Sequence, residues 1–254
     1  MSRHRYLRAR AVLDRRQPDL TVLLDNVHKP HNFSAILRTC DAVGVLEAHG
    51  VWPSPRLRPH QGRAAGTDRW VFVRTHPSVE SAIAWLKGSG FAVVAAHPAA
   101  DALDFRAVDY TRPTALLLGA ELQGVSAPAL ALADVRVAIP LLGMVPSLNV
   151  SVAAALVLYE AERQRSAAGC YRYPRLDPLR YQETLVEWLH PDIADYCRRH
   201  GLPPPVLDED GCVVELPGSR AERAPLSAPV PGCAPAHTGP RTPDGVDQGP
   251  PGCP

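Results

Sequence analysis

The chain has 254 residues and a formal net charge of +1, so it is long enough for one large domain or two small ones. A net charge this small gives no global field that argues for nucleic acid. The six cysteines form no C-x-x-C pair and lie near no histidines at zinc spacing, so we expect no metal site and a reducing, cytoplasmic setting. The charged start and the short apolar runs predict neither a secretory signal nor a membrane span.

Positive charge is nevertheless clustered in two stretches. The first, residues 3–16, holds one acidic residue, Asp14, beside a set of basic ones: Arg3, His4, Arg5, Arg8, Arg10, Arg15 and Arg16. The second, residues 55–69, has a similar set: Arg56, Arg58, His60, Arg63 and Arg69. Such clusters are typical of phosphate-binding surfaces. When either cluster is taken alone, a solvated helix face or a polar loop is the favoured explanation.

The first part of the chain predicts alternating helices and strands. Residues 2–17 have a partial apolar stripe at helical spacing that ends at Pro18. The predicted elements that follow are a strand at 21–25, a polar loop at 26–31, a helix at 33–43 capped by Asn32 and ended by Gly44, and a strand at 45–51. Residues 53–68 contain Pro, Gly and Arg without periodicity, which indicates a long surface loop.

The same alternation continues to about residue 165. The predicted elements are strands at 70–73, 91–96, 114–118 and 135–139, and helices at 78–87, 127–133 and 148–165, the last capped by Ser147. Residues 97–113 show no clear element, and residues 178–200 indicate one or two further helices. This pattern predicts an α/β fold with a mainly parallel sheet flanked by helices. Residues 218–254, rich in Pro, Gly, Ala and Ser, are predicted to be disordered.

Polar residues follow three of the predicted strands. They are Asn32 and Arg38 in NFSAILR, Glu121 within the sequence GAELQG at 119–124, and Ser147 with Asn149 in SLN. Because the carboxyl ends of parallel strands share one edge of the sheet, where such folds bind ligands, these residues are expected to converge. Taken singly, each stretch has an ordinary structural explanation. Arg38 could pair with Ser34 or Asp41 on the helix surface, the glycines of GAELQG could serve tight turns, and Ser147 could simply cap a helix.

Together, the three stretches resemble the SPOUT (SpoU) superfamily of RNA methyltransferases, and within it the TrmH type. The first family motif corresponds to Asn32 and Arg38, the second to 117–124, and the third to 139–153. The segments RQPDLTV at 16–22 and VHKPHN at 27–32 favour the TrmH type over its ribosomal-RNA relatives. The resemblance covers about residues 5 to 165, with a helical flank to about 204.

The resemblance implies a fold and a cofactor that composition and periodicity do not. It implies a deep trefoil knot at about 114–165, within a methyltransferase domain at 18–168. A basic N-terminal helix at 1–17, a helical extension at 169–217 and the tail at 218–254 would complete the chain. It also implies an S-adenosylmethionine site built from four positions: Ala96, Gly119, Ile139 and Leu148. Family members often carry Thr where Ala96 stands.

The activity implied by the resemblance is transfer of a methyl group to the ribose 2′-hydroxyl of guanosine-18 in the D-loop of tRNA. Arg38 would activate the hydroxyl, and four residues would position groups around it: Asn32, Glu121, Ser147 and Asn149. Arg5 and Arg8 would hold tRNA phosphate. The family acts as a homodimer without a metal ion. Two alternatives stay open: the same chemistry on 23S rRNA or a tRNA wobble position, and an RNA-binding protein that has lost catalysis.

Overall fold

A parallel sheet of seven strands forms the centre of the fold. The computed structural model describes residues 2–52 and 69–216, so the loop predicted at 53–68 and the tail predicted at 218–254 lie outside the described residues. The strands are β1 (Leu20–Asp25), β2 (Glu47–Val51), β3 (Phe72–His76), β4 (Ala92–Ala96), β5 (Leu103–Asp104), β6 (Thr114–Gly119) and β7 (Val135–Ala138). Their order is β3-β2-β1-β6-β4-β7-β5, and every neighbouring pair is parallel. The predicted parallel α/β sheet is confirmed.

Seven helices surround this sheet in the described part of the chain. They are α1 (Arg3–Leu13), α2 (Pro30–Ala42), α3 (Val79–Gly88), α4 (Ala127–Leu132), α5 (Val150–Ala167), α6 (Pro178–Leu189) and α7 (Pro191–His200). A small antiparallel pair follows, β8 (Val206–Leu207) and β9 (Val213–Glu215), which the sequence did not predict. The predicted helices at both ends of the described chain are present.

The helices cover both faces of the sheet, as a parallel sheet with two buried faces requires. On one face, α2 and α5 bury side chains such as Ile36 and Leu158 against the sheet. On the other face, α3 and α4 do the same with residues such as Leu86 and Ala129. A third apolar cluster joins α1 to α6 through Leu13 and other side chains, and so holds the N-terminal helix against the C-terminal extension.

Two predicted helix starts are wrong, and each differs for a local reason. Helix α2 begins at Pro30 rather than after Asn32, because proline suits the first helical position and lacks only an N–H that would be free there. Helix α5 begins at Val150 rather than Leu148. Its N-cap is Asn149, whose Oδ1 accepts the backbone N–H of Ser151 at 2.8 Å. Ser147 therefore does not cap this helix.

The third predicted strand and the segment predicted without structure also differ from the structure. The strand occupies Phe72–His76 rather than 70–73, because Trp70 packs edge-to-face on Trp188 of α6 instead of joining the sheet. The segment 97–113 contributes β5, at the edge of the sheet, and a single 3₁₀ turn at Phe105–Ala107.

A pair of buried histidines joins β2 to β3. His49, 2 % exposed, lies with Nδ1 2.9 Å from Nε2 of His76, and Trp85 of α3 covers both rings. Burial, together with the charges of His76 and Arg74, lowers the pKa of His49 to about 4 although Glu47 opposes the shift. Burial and Arg74 also lower the pKa of His76. The pair is therefore held in a form in which one ring nitrogen accepts from the other.

We expect this pair to make the fold sensitive to acid. Between its ordinary pKa near 6.5 and the folded value near 4, His49 binds a proton only in the unfolded chain. The contribution of neutral His49 to the free energy of unfolding should be complete above about pH 6.5. The free energy of unfolding should then fall by about 2 kcal/mol as the pH drops towards 4.5. Urea unfolding at stepped pH measures this loss. His49→Gln should flatten it, whereas His200→Gln, at an exposed site on α7, should follow the wild type.

Candidate active site

A pocket of about 370 Å³ opens at the carboxyl edge of the sheet, where β1, β6, β4 and β7 end. The polar residues of the three predicted stretches meet here, with the exception of Arg38. The predicted catalytic and cofactor residues that line the pocket are Asn32, Ala96, Gly119, Glu121, Ile139, Ser147, Leu148 and Asn149. The expectation that strand order would bring distant motifs together therefore holds for this set.

The loop after β6 projects Glu121 into the pocket. Gly119 approaches the loop's far end so closely that a Cβ there would come within 2.0 Å of the Gly124 backbone. Gly124 has a φ of +67°, and its N–H donates to the Ala120 carbonyl at 2.8 Å, which closes the loop. Beyond the loop, the Asp25 carboxylate accepts the Ser126 N–H at 2.8 Å. The two glycines thus serve a tight turn, and that turn fixes the position of the acid.

A chain of hydrogen bonds links all three motifs across the pocket. The Asn149 side-chain amide donates to Asn32 Oδ1 at 3.1 Å, and the Asn32 amide in turn donates to Glu121 Oε1. At the other end, both the N–H and the hydroxyl of Ser151 donate to Asn149 Oδ1, at 2.8 and 2.6 Å. Because every donor points the same way, the chain polarises towards the carboxylate.

This arrangement keeps Glu121 ionised. Burial alone would raise the pKa of its carboxyl. The hydrogen bonds from the Asn32 amide and the Glu121 backbone N–H, together with the nearby charges of Lys29 and His28, outweigh burial, so the net pKa is lowered from its ordinary value. A fixed negative charge therefore stands at the β1 and β6 end of the pocket.

The rest of the wall is mostly apolar. The lining side chains of this kind are Leu118, Val137, Ala138, Leu141, Pro146, Val150, Ala153 and Val157. A concave apolar site with a few convergent polar groups is typical of a small-molecule pocket. Among the predicted residues, Ala96, Ile139 and Leu148 contribute to this wall, and Ser147 lies exposed at the mouth.

Arg38 does not line this pocket. It lies exposed on α2, nearly two turns beyond Asn32, and its side chain has no hydrogen-bond or ionic partner within the described residues. The predicted ordinary partner, Asp41, instead binds Arg16 through its carboxylate and its carbonyl. Arg38 is thus a free cation on the outer side of the helix whose first turn enters the site.

The N-terminal arginines separate into two groups. Arg5 and Arg8 are exposed on α1, and neither side chain has a polar partner in the described part of the chain. Arg16, which the sequence placed in the same basic cluster, is fully buried. It binds Asp41 and the carbonyls of Val45 and Trp70 and stacks on Trp188. Arg16 is therefore a structural residue, and the basic surface is smaller than the sequence suggests.

Three polar lining residues were not among the predicted site residues. Lys29 and His31 stand at the start of α2, within the segment VHKPHN, and His97 follows β4. Lys29 and His31 had a usable signal because they adjoin Asn32 at a strand end. His97 had none, because the boundary of β4 alone determines that it faces the pocket.

The described residues hold neither a metal-binding cluster nor a helix able to span a membrane. Within residues 2–52 and 69–216, no group of three or more His, Cys, Asp or Glu side chains is placed to hold a metal ion. In the same ranges, no helix combines the length and the apolar character needed to cross a membrane.

The fold and the site together define a class of RNA-modifying enzymes. The model of the SpoU rRNA Methylase family matches residues 19–159, and the model of the SpoU rRNA methylase C-terminal region matches residues 163–216. The chain belongs to the SpoU methylase family, as the motifs at Asn32, 117–124 and 139–153 predicted.

Particular relatives narrow this assignment. The chain is 60 % identical over 182 residues to the tRNA (guanosine(18)-2′-O)-methyltransferase of Thermus thermophilus, covering 72 % of this chain and 94 % of the relative. It is similar to the crystal structure of the Aquifex aeolicus TrmH/SpoU tRNA modifying enzyme, with a TM-score of 0.70, 43 % identity and coverage of 74 % and 96 %. It also resembles the methyltransferase AviRb of Streptomyces viridochromogenes in complex with AdoMet, with a TM-score of 0.53, 29 % identity and coverage of 61 % and 62 %.

Proposed function

We propose that this protein transfers a methyl group from S-adenosylmethionine to the ribose 2′-hydroxyl of guanosine-18 in tRNA. The observation that carries the proposal is the hydrogen-bond chain from Asn149 through Asn32 to Glu121 at the mouth of an apolar pocket. Family membership and the 60 % identical tRNA methyltransferase supply the reaction and the substrate. The intact polar chain argues against an RNA-binding protein that has lost catalysis.

The pocket fits the cofactor by size, wall chemistry and charge. Its volume of about 370 Å³ suits a ligand of this class, and its wall presents apolar side chains beside the strand-end backbone of Gly119 and Ile139. The carboxylate of Glu121 is a favourable neighbour for a cation such as a sulfonium. We assign Gly119, Ile139, Leu148 and Ala96 to the cofactor. Ala96, having no hydroxyl, would contribute only packing and backbone.

The bound cofactor supplies an electrophilic methyl group, and the protein must supply a reactive oxygen in line with it. A ribose hydroxyl is a weak nucleophile that has to lose its proton or be strongly polarised. We assign that role to Arg38, the free cation on α2, acting on RNA that lies across the mouth of the pocket. Asn32, Glu121 and Asn149 hold the first turn of α2 in register with the pocket through their hydrogen bonds, and Ser147 at the mouth faces the incoming RNA.

A homodimer would complete this site. The loop between β7 and α5 leaves Leu142 and Met144 fully exposed to solvent. The outer face of α5 exposes a helical stripe of Val152, Leu156 and Tyr159. Adjacent apolar surface of this kind is typical of an interface, and a second copy covering it would bring new groups to the mouth of the pocket. Sedimentation equilibrium of the full chain is expected to give twice the mass of one chain.

The knot is part of the same proposal. Strand β6 inserts between β1 and β4, β7 inserts between β4 and β5, and α5 then returns to pack on α2. This insertion of late strands between earlier ones supports a trefoil at about 114–165 inside a methyltransferase domain of residues 18–168. The segments 1–17 and 169–217 flank it, and we place the reaction in the cytoplasm with its tRNA substrate.

Transfer of tritiated methyl from S-adenosylmethionine to unmodified tRNA tests the activity. Label is expected in the tRNA, and mapping of the modified nucleotide is expected to place it on the ribose of guanosine-18. Label on the wobble nucleotide, or only on 23S rRNA, would retain the chemistry and replace the substrate. Transfer to none of these RNAs by folded protein would contradict the proposal.

The exposed arginines of α1 give a separate prediction. Arg8→Ala is expected to weaken tRNA binding several-fold at low salt and to lower the salt dependence by about one phosphate contact. The affinity for S-adenosylmethionine should not change, because Arg8 lies outside the pocket. Fluorescence anisotropy at stepped salt measures both effects. Arg112→Ala, which removes an exposed arginine beside Asp109, is the matched control and should bind tRNA like the wild type.

A further inference from the structure

The pocket has two chemically different ends. At the end formed by β1 and β6, the lining includes Lys29 and the carboxylate of Glu121. At the other end, where β4 and β7 finish, no lining side chain carries a fixed charge. Strand β4 is separated from β1 by β6 alone, so the two ends lie about 10 Å apart. A ligand with a charged half and a neutral half is therefore oriented by this pocket.

His97 is the one side chain with hydrogen-bonding groups among those contributed by the ends of β4 and β7. Its backbone N–H donates to the Val137 carbonyl at 3.0 Å, which continues the β4 ladder and directs the side chain at the strand end. The residues beside it on the wall are apolar: Ala96, Pro98, Val137, Ala138 and Ile139. Neither ring nitrogen has a hydrogen-bond or ionic partner within the described residues.

The ring lies beside the loop that follows β6. At Gly124, in that loop, an added Cβ would meet only one atom within 4 Å, the His97 Nδ1 at 3.9 Å. A half-buried imidazole with no partner on an apolar wall is unsatisfied, since buried polar groups in folded proteins are normally hydrogen-bonded. Its partner must therefore be solvent or a group of the ligand.

We infer that His97 is a specificity-determining residue that hydrogen-bonds a ribose hydroxyl in the adenosine half of the cofactor. This inference rests on the proposed function. The methionine half of the cofactor carries all of its charges, namely the ammonium, the carboxylate and the sulfonium, and belongs with Lys29 and Glu121. The adenosine half is neutral and flat with a vicinal diol, and so belongs at the apolar end. A neutral imidazole has one donor and one acceptor nitrogen, so it can either donate a hydrogen bond to a ribose hydroxyl or accept one from it.

The test is calorimetric and needs no turnover. S-adenosylhomocysteine, which lacks the reactive methyl, is titrated into the wild type and into His97→Ala. Loss of one hydrogen bond should weaken binding about tenfold. An analogue of the same ligand without the ribose hydroxyls should bind the two proteins with equal affinity, because the group that His97 contacts is missing. His97→Gln, which keeps a donor and an acceptor, should recover part of the loss for the intact ligand.

Controls separate this inference from the function on which it rests. His200→Ala, on the exposed surface of α7, should bind like the wild type, and thermal melts confirm that each variant is folded. Equal affinity of the wild type and both His97 variants for S-adenosylhomocysteine would overturn the inference alone. An equal loss with the intact and the dideoxy ligand would also overturn it, by showing that the imidazole only packs. No binding by the wild type would overturn the cofactor assignment itself, and this inference with it.

Discussion

Arg38→Ala is expected to abolish methyl transfer, with a fall of at least about a hundredfold in turnover, while cofactor binding persists. The size is that of removing a donor that stabilises a developing oxyanion. Cofactor affinity should hold because Arg38 does not line the pocket. Single-turnover methylation of tRNA measures the rate, and titration with S-adenosylhomocysteine measures the affinity.

Arg38→Lys distinguishes two physical accounts of this loss. Arginine keeps its proton at any pH at which proteins are folded, so it is a poor general base. In one account, its planar fork stabilises the developing 2′-alkoxide. In the other, the RNA phosphate and exclusion of water help it to release a proton and accept that of the hydroxyl. Lysine releases a proton more readily when buried, so Arg38→Lys would recover part of the activity at higher pH if Arg38 acts as a base. It would not recover activity if the planar guanidinium stabilises the alkoxide, because an ammonium group lacks that geometry.

We favour the electrostatic account and expect no rescue by lysine. Arg112→Ala again serves as the control, since it removes an exposed arginine next to Asp109 and should keep full turnover. Near-full activity of Arg38→Ala on tRNA would contradict both accounts and remove the catalytic assignment. A selective loss of tRNA affinity with unchanged single-turnover rate would instead make Arg38 an RNA contact.

The sequence predicted the convergence of the strand-end motifs better than it predicted the borders of individual elements. Asn32, Glu121 and Asn149 lie far apart in the chain, yet each follows a strand of a parallel sheet, and strand direction alone brings them to one edge. Cap residues were less predictable. Asparagine and serine are both good N-caps, so the sequence predicts caps at Asn32 and Ser147, but the fixed φ of Pro30 and the side chain of Asn149 determine where the helices start.

Long-range partners account for the rest of the difference. Arg16 looked like one more exposed cation in a basic run, because nothing near it in the chain shows that Asp41 and two carbonyls will surround it. Arg38 is a related case, because Asp41, its expected partner, binds Arg16 instead and leaves the Arg38 side chain exposed. His97 likewise faces the pocket only because β4 ends one residue earlier. Such features depend on which elements meet in space, and local patterns do not contain that information.

Arg165→Ala is expected to destabilise the protein by about 3–5 kcal/mol, because it removes one partner of a buried charged network. Arg165 is fully buried near the end of α5. Its guanidinium binds the Asp19 carboxylate at 2.6 Å, the Gln17 side chain at 3.1 Å, and the carbonyls of Tyr110, Arg112 and Asp19 at 2.8, 2.9 and 3.1 Å. It thus ties α5 to the segments that lead into β1 and β6.

Arg175 provides a matched control, because it binds the same carboxylate from a partly exposed position. Its two terminal nitrogens lie 2.8 and 2.9 Å from the Asp19 oxygens. Arg175→Ala should cost no more than about 1 kcal/mol, since solvent screens the pair and no backbone carbonyl loses its donor. Gln17 Oε1, which Arg175 also contacts at 3.0 Å, keeps its hydrogen bond from Arg165. Urea unfolding measures both variants. Arg165→Met separates the hydrogen bonds from packing: it fills most of the volume but satisfies no acceptor, so it should remain nearly as unstable as Arg165→Ala.

The folded Arg165→Ala protein should still bind S-adenosylhomocysteine normally at low temperature. Arg165 lies about 22 Å along the helix from the start of α5 and about 12 Å from Val157, the last residue of the helix that lines the pocket. Asn149, which begins the hydrogen-bond chain to Glu121, stands at that distant end. A loss of cofactor affinity equal to the loss of stability would mean that α5 couples the Arg165 network to the geometry of the pocket. Unchanged affinity in a weakened fold would show that the network holds α5 in place without shaping the site.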